Sequence, residues 1–139
     1  RFFNVYGQRQ DPKSPYSGVI SIFSNKINNN DTIEIFGDGK QERDFIFIED
    51  VVRALVLAEE KISTKSEVYN ICTGKAVSIN ELIQSFFTVL DEKVDIKYSS
   101  QREGDIYKSL GDPIKAKNKL NFKAAIDLKA GLCRITSKK

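Results

Sequence analysis

The sequence predicts an α/β fold, but one with too few strands to complete a doubly wound sheet. Short β-branched and aromatic runs alternate with apolar positions at helical spacing. One run, Phe45 to Ile48, is apolar at four successive positions, the pattern of a strand buried on both faces. Helical and loop segments together outweigh the strands. The chain also opens at Arg1 inside an apolar run, with no preceding turn and no methionine in its 139 residues. The expectation is a single fragment, residues 1–139, whose N-terminal partner lies elsewhere.

Each element has a local reason. "RFFNVYG" is a strand ending at Gly7, and Pro12, Pro15 and Gly18 mark the loop that follows. Val19, Ile22, Phe23 and Ile27 have helical spacing, and Asn28, Asn29 and Asn30 stop that helix. In "DTIEIFG", Ile33 and Ile35 alternate with Thr32 and Glu34, a strand closed by the Gly37-Asp38-Gly39 turn. The run from Phe45 is the buried strand. "DVVRALVLAEEK" is a helix with Asp50 as its N-cap and Val51, Ala54, Leu55 and Ala58 on one face. "EVYNICTG", about residues 67–74, is a further strand. Ser78 and Glu81 form a capping box for a helix carrying Ile79, Leu82, Ile83, Phe86, Phe87 and Leu90 at unbroken spacing. "VDIKYS" alternates as a strand, "DPIKAKNKLNF" is a short helix with Pro113 in its first turn, and "DLKAGLCRI" opens a last helix.

Composition narrows the function. At 40% hydrophobic and 29% charged residues the chain is globular rather than disordered. A net charge of +3, dispersed along the chain, argues against nucleic acid. No apolar run approaches the roughly 20 residues of a membrane span, and no secretory pattern opens the chain. The absence of histidine removes a histidine base or metal ligand from this chain. Cys72 and Cys133 form no Cys-x-x-Cys pair. Cys72 sits in an apolar run and reads as a reduced core thiol, which places the protein in the cytoplasm.

Familiar signatures are missing. No glycine-rich dinucleotide fingerprint follows a strand, "GDGK" lacks P-loop spacing, and Tyr-x-x-x-Lys does not occur. What stands out is "GDGKQERDF". Arg43 reads either as a solvated charge or as a fixed guanidinium between a glycine turn and a buried strand. Arg102, before the Gly104-Asp105 turn, is a second such fork, and two forks suit a diphosphate better than lysines do. The cluster Asp38, Asp44, Glu49 and Asp50 allows a glycosidase-type acid–base pair, but turn and cap chemistry is the stronger reading.

Five blocks occur in order over nearly the whole chain: "RFFNVYGQRQDP", "SPYSGVIS", "IEIFGDGKQERDFIFIEDVVRAL", "VYNICTG…SINEL" and "REGDIYKSLGDPIKAKNKLNF". Together they resemble the C-terminal part of the extended short-chain dehydrogenases, the NAD-dependent nucleotide-sugar epimerases and dehydratases. "DPKSPYSGVIS" looks most like the UDP-glucose and UDP-N-acetylglucosamine 4-epimerases. The resemblance implies the substrate-binding lobe of an extended Rossmann-type enzyme. The strands at about 1–7 and 67–74 would belong to a Rossmann sheet whose NAD loop and Tyr-x-x-x-Lys pair precede this chain. It implies NAD as cofactor, a UDP-hexose as substrate, a homodimer when intact, and no catalytic residue within the fragment. Residue by residue, it implies that Asn4, Arg43 and Arg102 contact the nucleotide diphosphate, that Val19 contacts the nucleotide, that Ile35 and Phe36 hold the uracil, and that Asp105 lies near the ribose. Ser109 falls on the sugar side, where some relatives carry Tyr. Phe3 would approach the nicotinamide, and Tyr16 and Ser17 would line the substrate pocket. A 4,6-dehydratase, a UDP-glucuronate decarboxylase, a non-catalytic nucleotide-sugar module and an inactive truncated product are the competing readings.

Overall fold

The computed structural model describes residues 1–14, 16–61 and 66–136, so Pro15 of the predicted loop lies outside the described residues. In chain order the elements are β1 (Asn4–Tyr6), α1 (Val19–Asn28), β2 (Ile33–Phe36), β3 (Glu42–Arg43), β4 (Phe45–Phe47), α2 (Ile48–Glu59), β5 (Val77–Ser78), α3 (Ile79–Leu90), β6 (Ile96–Ser99), β7 (Lys108–Ser109), α4 (Ile114–Leu120) and α5 (Leu128–Thr136). The class is α/β, and the described residues form three small sheets rather than one large one. β1 runs parallel to β4, with Asn4 opposite Phe45 and Tyr6 opposite Phe47. β2 runs parallel to β6. β3 is flanked by antiparallel β5 and parallel β7.

β4 is the hinge of the packing because its two faces serve two cores. Phe45 and Phe47 join Ile20, Phe23, Ile27, Ile33, Ile35, Leu82, Phe86 and Leu132 on one side. Ile46 joins Val51, Ala54, Ile71, Ala116, Leu120 and Phe122 on the other. An uninterrupted apolar triplet is what a strand with no solvent face requires. The larger core is closed by α3, whose Ile79, Leu82, Ile83, Phe86 and Phe87 are all buried. Its start is the predicted capping box: Glu81 N–H donates to Ser78 Oγ at 3.2 Å, and Ser78 N–H donates to Glu81 Oε2 at 2.8 Å.

Several local expectations need correction. The buried strand ends at Phe47, because Ile48 already opens α2 and is 36% exposed. Asp50 does not cap that helix; Phe47 holds the N-cap position without a side-chain bond. Asp50 lies in the first turn, 1% exposed, and its carboxylate accepts from the N–H groups of Ala125 and Ile126 and pairs with Arg53. A buried charge needs this full set of donors, so Asp50 staples the chain ahead of α5 to α2. Leu55 is exposed, whereas Val51 and Ala54 face the core. Asn28 is still helical; Asn29 is the C-cap of α1, and Asn30 takes the left-handed turn at φ 54°.

The expected strand at 67–74 reduces to one bridge, Ile71 with Phe2. Its strand-like bonds run to the first residues of the chain: the Arg1 amino group to the Tyr69 carbonyl at 2.8 Å, Ile71 N–H to the Arg1 carbonyl at 2.8 Å, and Phe3 N–H to the Ile71 carbonyl at 3.2 Å. Beyond Cys72 the chain turns away to satisfy Asp44. The pairs β3, β5 and β7 are too short to leave a periodic signal.

Candidate functional site: a cleft lined by two arginines

Between β1, the N-terminus of α1, the C-terminal end of β2, β3 and the loop at 102–105 lies a cleft of about 610 Å³. Its builder is the segment from Gly37 to Asp44. Gly37 and Gly39 both take positive φ, and a side chain at Gly39 would overlap Asn80 Oδ1. Asn80 locks the turn by donating its N–H to the Gly39 carbonyl at 3.0 Å and its amide to the Asp38 carbonyl at 3.1 Å. Gln41, only 8% exposed, closes the same turn onto β2 through the Phe36 carbonyl at 2.8 Å.

Just past Arg43, Asp44 fixes the other side. Its carboxylate is fully buried and accepts from Thr73 Oγ1 at 2.6 Å, Thr73 N–H at 2.9 Å, Gly74 N–H at 2.9 Å and Gly111 N–H at 3.3 Å. Four donors from two distant loops hold the backbone beneath Arg43. Asp44 and Asp50 are therefore structural acceptors, Asp38 receives the Lys40 N–H of its own turn, and Glu49 pairs with Arg134. Only Asp38 does turn chemistry as expected; Asp44 and Asp50 are recruited by distant amides and Glu49 by an ion pair, so all four have structural partners without capping a helix.

Of the sequence-predicted residues, Asn4, Val19, Ile35, Phe36, Arg43, Arg102 and Asp105 all line this cleft, as do Tyr16 and Ser17. The Arg43 guanidinium donates to Asp105 Oδ1 at 2.6 Å and to the Glu42 carbonyl at 2.8 Å. The Arg102 guanidinium lies 3.7 Å from the centre of the Phe36 ring, so cation and aromatic face share one wall. Gly18 caps α1 without a side-chain bond, and no acidic residue stands in the first turn. The open amides and the dipole of that helix end add partial positive charge to the cleft. Asn4 donates its side-chain amide to the Asp44 carbonyl at 3.1 Å.

Phe3 and Ser109 are not in this cleft. They line a neighbouring depression with Arg1, Phe2, Asn4 and Asn70, so Asn4 borders both. Ser109 sits on β7 directly opposite Arg43 in the strand register. Sequence reasoning missed Gln10, Gln41, Glu103 and Gly104 as lining residues. Gln41 lay within the segment singled out, but nothing in spacing distinguishes a buried glutamine from a solvated one.

Among the described residues no cluster of His, Cys, Asp and Glu could hold a metal, and no helix is long and apolar enough to cross a membrane. Cys72 is buried. Loss of water around it, with the Asp44 charge nearby, pushes its thiol up to about 11.

Fold and cleft together define an α/β lobe that brings two guanidiniums, an aromatic ring and an open helix end to one cleft. The chain belongs to the NAD dependent epimerase/dehydratase family, whose model matches residues 1–72. A putative UDP-glucose 4-epimerase of Methanocaldococcus jannaschii is 42% identical over 99% of this chain and 43% of its own length. The solved UDP-glucose 4-epimerase of Thermotoga maritima, with UDP-glucose, superposes with a TM-score of 0.91 at 38% identity, over 98% of this chain and 43% of that one. A UDP-N-acetylglucosamine 4-epimerase from Methanobrevibacter ruminantium, in complex with UDP-N-acetylmuramic acid, gives a TM-score of 0.90 at 39% identity, over the same shares. The chain thus spans about two-fifths of the length of the relatives it matches.

Proposed function

We propose that this chain is the nucleotide-sugar-binding lobe of an NAD-dependent UDP-hexose 4-epimerase of the UDP-glucose/UDP-galactose type. The carrying observation is the convergence of Arg43, Arg102 and the uncapped end of α1 on one cleft. The kinship with UDP-sugar 4-epimerases supports it. In this reading Arg43, Arg102 and Asn4 hold the diphosphate, Val19 contacts the nucleotide, and Ile35 and Phe36 pack the uracil. Asp105 reaches the ribose, and Ser109 lies toward the hexose. Charge-assisted bonds from each guanidinium contribute roughly 1.5–3 kcal/mol. Anchoring through a part of the substrate that does not react leaves the hexose free to turn over between its two faces.

NAD, held by the rest of such an enzyme, would supply the hydride chemistry at C4 of the sugar. The residues present here do not fit the dinucleotide. Gly37-x-Gly39 is followed by Glu42 where a third glycine would stand and runs into β3 rather than a helix, and a side chain at Gly39 would overlap Asn80, so the turn lacks the dinucleotide fingerprint. Only Phe3 is assigned toward the nicotinamide. Residues 1–7 and 67–74 then belong to the Rossmann sheet of the whole enzyme, a cytoplasmic homodimer, and the 139-residue chain alone turns over nothing. The test is to incubate full-length protein with UDP-glucose and look for UDP-galactose. A 4-keto-6-deoxy product would make it a dehydratase, carbon dioxide from UDP-glucuronate a decarboxylase, and binding without any product a non-catalytic module.

A further inference from the structure

The cleft carries more negative than positive side chains. Arg43 and Arg102 face Glu34, Glu103 and Asp105. For a site that is to accept a diphosphate this is unexpected, and the geometry at Arg43 explains it. The guanidinium is already occupied by the Asp105 carboxylate at 2.6 Å, with both side chains largely shielded from solvent at 17% and 26% exposure. Its other bond goes to the Glu42 carbonyl. The two partners are mounted differently. Arg43 stands on β3, the central strand of a three-stranded sheet, with Asp44 pinned directly behind it. Asp105 stands on a loop outside any strand or helix, tied by a 3.3 Å bond to the Arg102 carbonyl. Gly104, beside it, has φ +77° and no atom within 4 Å of where a side chain would begin. The carboxylate is therefore the member of the pair that can leave.

We propose that Asp105 is an internal stand-in for the ligand's anion: its carboxylate holds the Arg43 guanidinium in place until a diphosphate displaces it, with the loop at 102–105 moving as it goes. This rests on the diphosphate reading of the cleft and adds that affinity is set by an exchange of anions on Arg43 rather than by filling an open cation. A preformed pair keeps the fork in a single orientation, at the cost of one partly exposed ion pair when ligand enters.

The experiment is titration calorimetry of full-length protein with three probes: inorganic pyrophosphate, uridine and UDP. Asp105→Asn should tighten pyrophosphate about two- to fivefold, the worth of a partly exposed ion pair; uridine, whose ribose the same carboxylate reaches, reads that second contact separately. Glu103→Gln removes the same charge from the cleft without touching Arg43, and its effect on pyrophosphate should be clearly smaller. Asp105→Ala repeats the measurement in case the asparagine amide holds Arg43 through its own oxygen, and far-UV circular dichroism checks that each variant is folded. Weaker or unchanged pyrophosphate binding in both Asp105 variants overturns the exchange, as does an equal gain from Glu103→Gln. Loss of uridine binding with no gain in pyrophosphate would make Asp105 a ribose ligand only. Wild-type protein that binds neither pyrophosphate nor UDP overturns the diphosphate site itself, a result distinct from all of these.

Discussion

At the scale of single residues, the cleft depends on side chains whose partners are fixed before any ligand arrives. Arg43 is held by strand register on β3 and by its bonds to Asp105 and Glu42. Arg43→Ala in the full-length protein should weaken UDP-sugar binding about tenfold or more, measured by titration calorimetry; unchanged affinity would remove Arg43 from the site. Arg43→Lys should recover only part of the loss, because an ammonium cannot reproduce the planar fork. Cys72 makes a second residue-scale case. Burial raises its thiol from 9.0 to about 11, so the folded state holds that proton more tightly than the unfolded chain does. Its contribution to stability is complete below pH 9 and is lost as pH climbs toward 11. At pH 8 iodoacetamide should modify the exposed Cys133 and spare Cys72 until denaturant is added, as read by peptide mass spectrometry. Rapid labelling of Cys72 in native protein would contradict the burial.

At the scale of elements, α3 is the best-specified helix and offers the cleanest tests. Ser78 caps it, and the bonds from Ser78 N–H and Oγ hold the Glu81 carboxyl below the usual glutamate range. A carboxyl depressed in the folded state adds stability above its unfolded value and loses it as pH falls through the folded one. Ser78→Ala should cost about 0.5–2 kcal/mol in chemical denaturation at neutral pH, and the difference from wild type should shrink in acid. The helix faces differ as well. Phe86 is fully buried, so Phe86→Ala should cost about 3–5 kcal/mol. Leu55 on α2 is 53% exposed, and Leu55→Ala should stay within about 0.5 kcal/mol. Equal midpoint shifts for the two would contradict the burial pattern. The sequence placed α3 well because its six apolar positions, its cap and its length agree. It misplaced the start of α2 because an acidic residue ahead of an apolar run reads as a cap, whereas Asp50 is recruited by amides at 125 and 126 that no local window contains.

At the scale of the whole molecule, the lobe is organised around a two-sided strand and small sheets with open edges. Among the described residues β1 and β4 pair only with each other, and Phe2 and Val68 are exposed at 53% and 56%. Unpaired strand edges beside apolar side chains tend to find another chain. The isolated 139-residue chain is therefore expected to self-associate in light scattering; a monodisperse monomer would count against it. Local pattern in the sequence determined the class, the helices at 19–28 and 79–90, the capping box, and the two guanidiniums and aromatic wall that resemblance assigned to one ligand. Those follow from spacing, cap chemistry and motif order, which act within a few residues or are carried by descent. Only the tertiary structure decided that Arg43 is already paired with Asp105, that Asp44 and Asp50 are buried acceptors, that Phe3 and Ser109 face a separate depression, and that residues 67–74 make a single bridge. Each of these depends on donors tens of residues away, and a hydrogen bond across such a separation leaves no periodicity for the sequence to reveal.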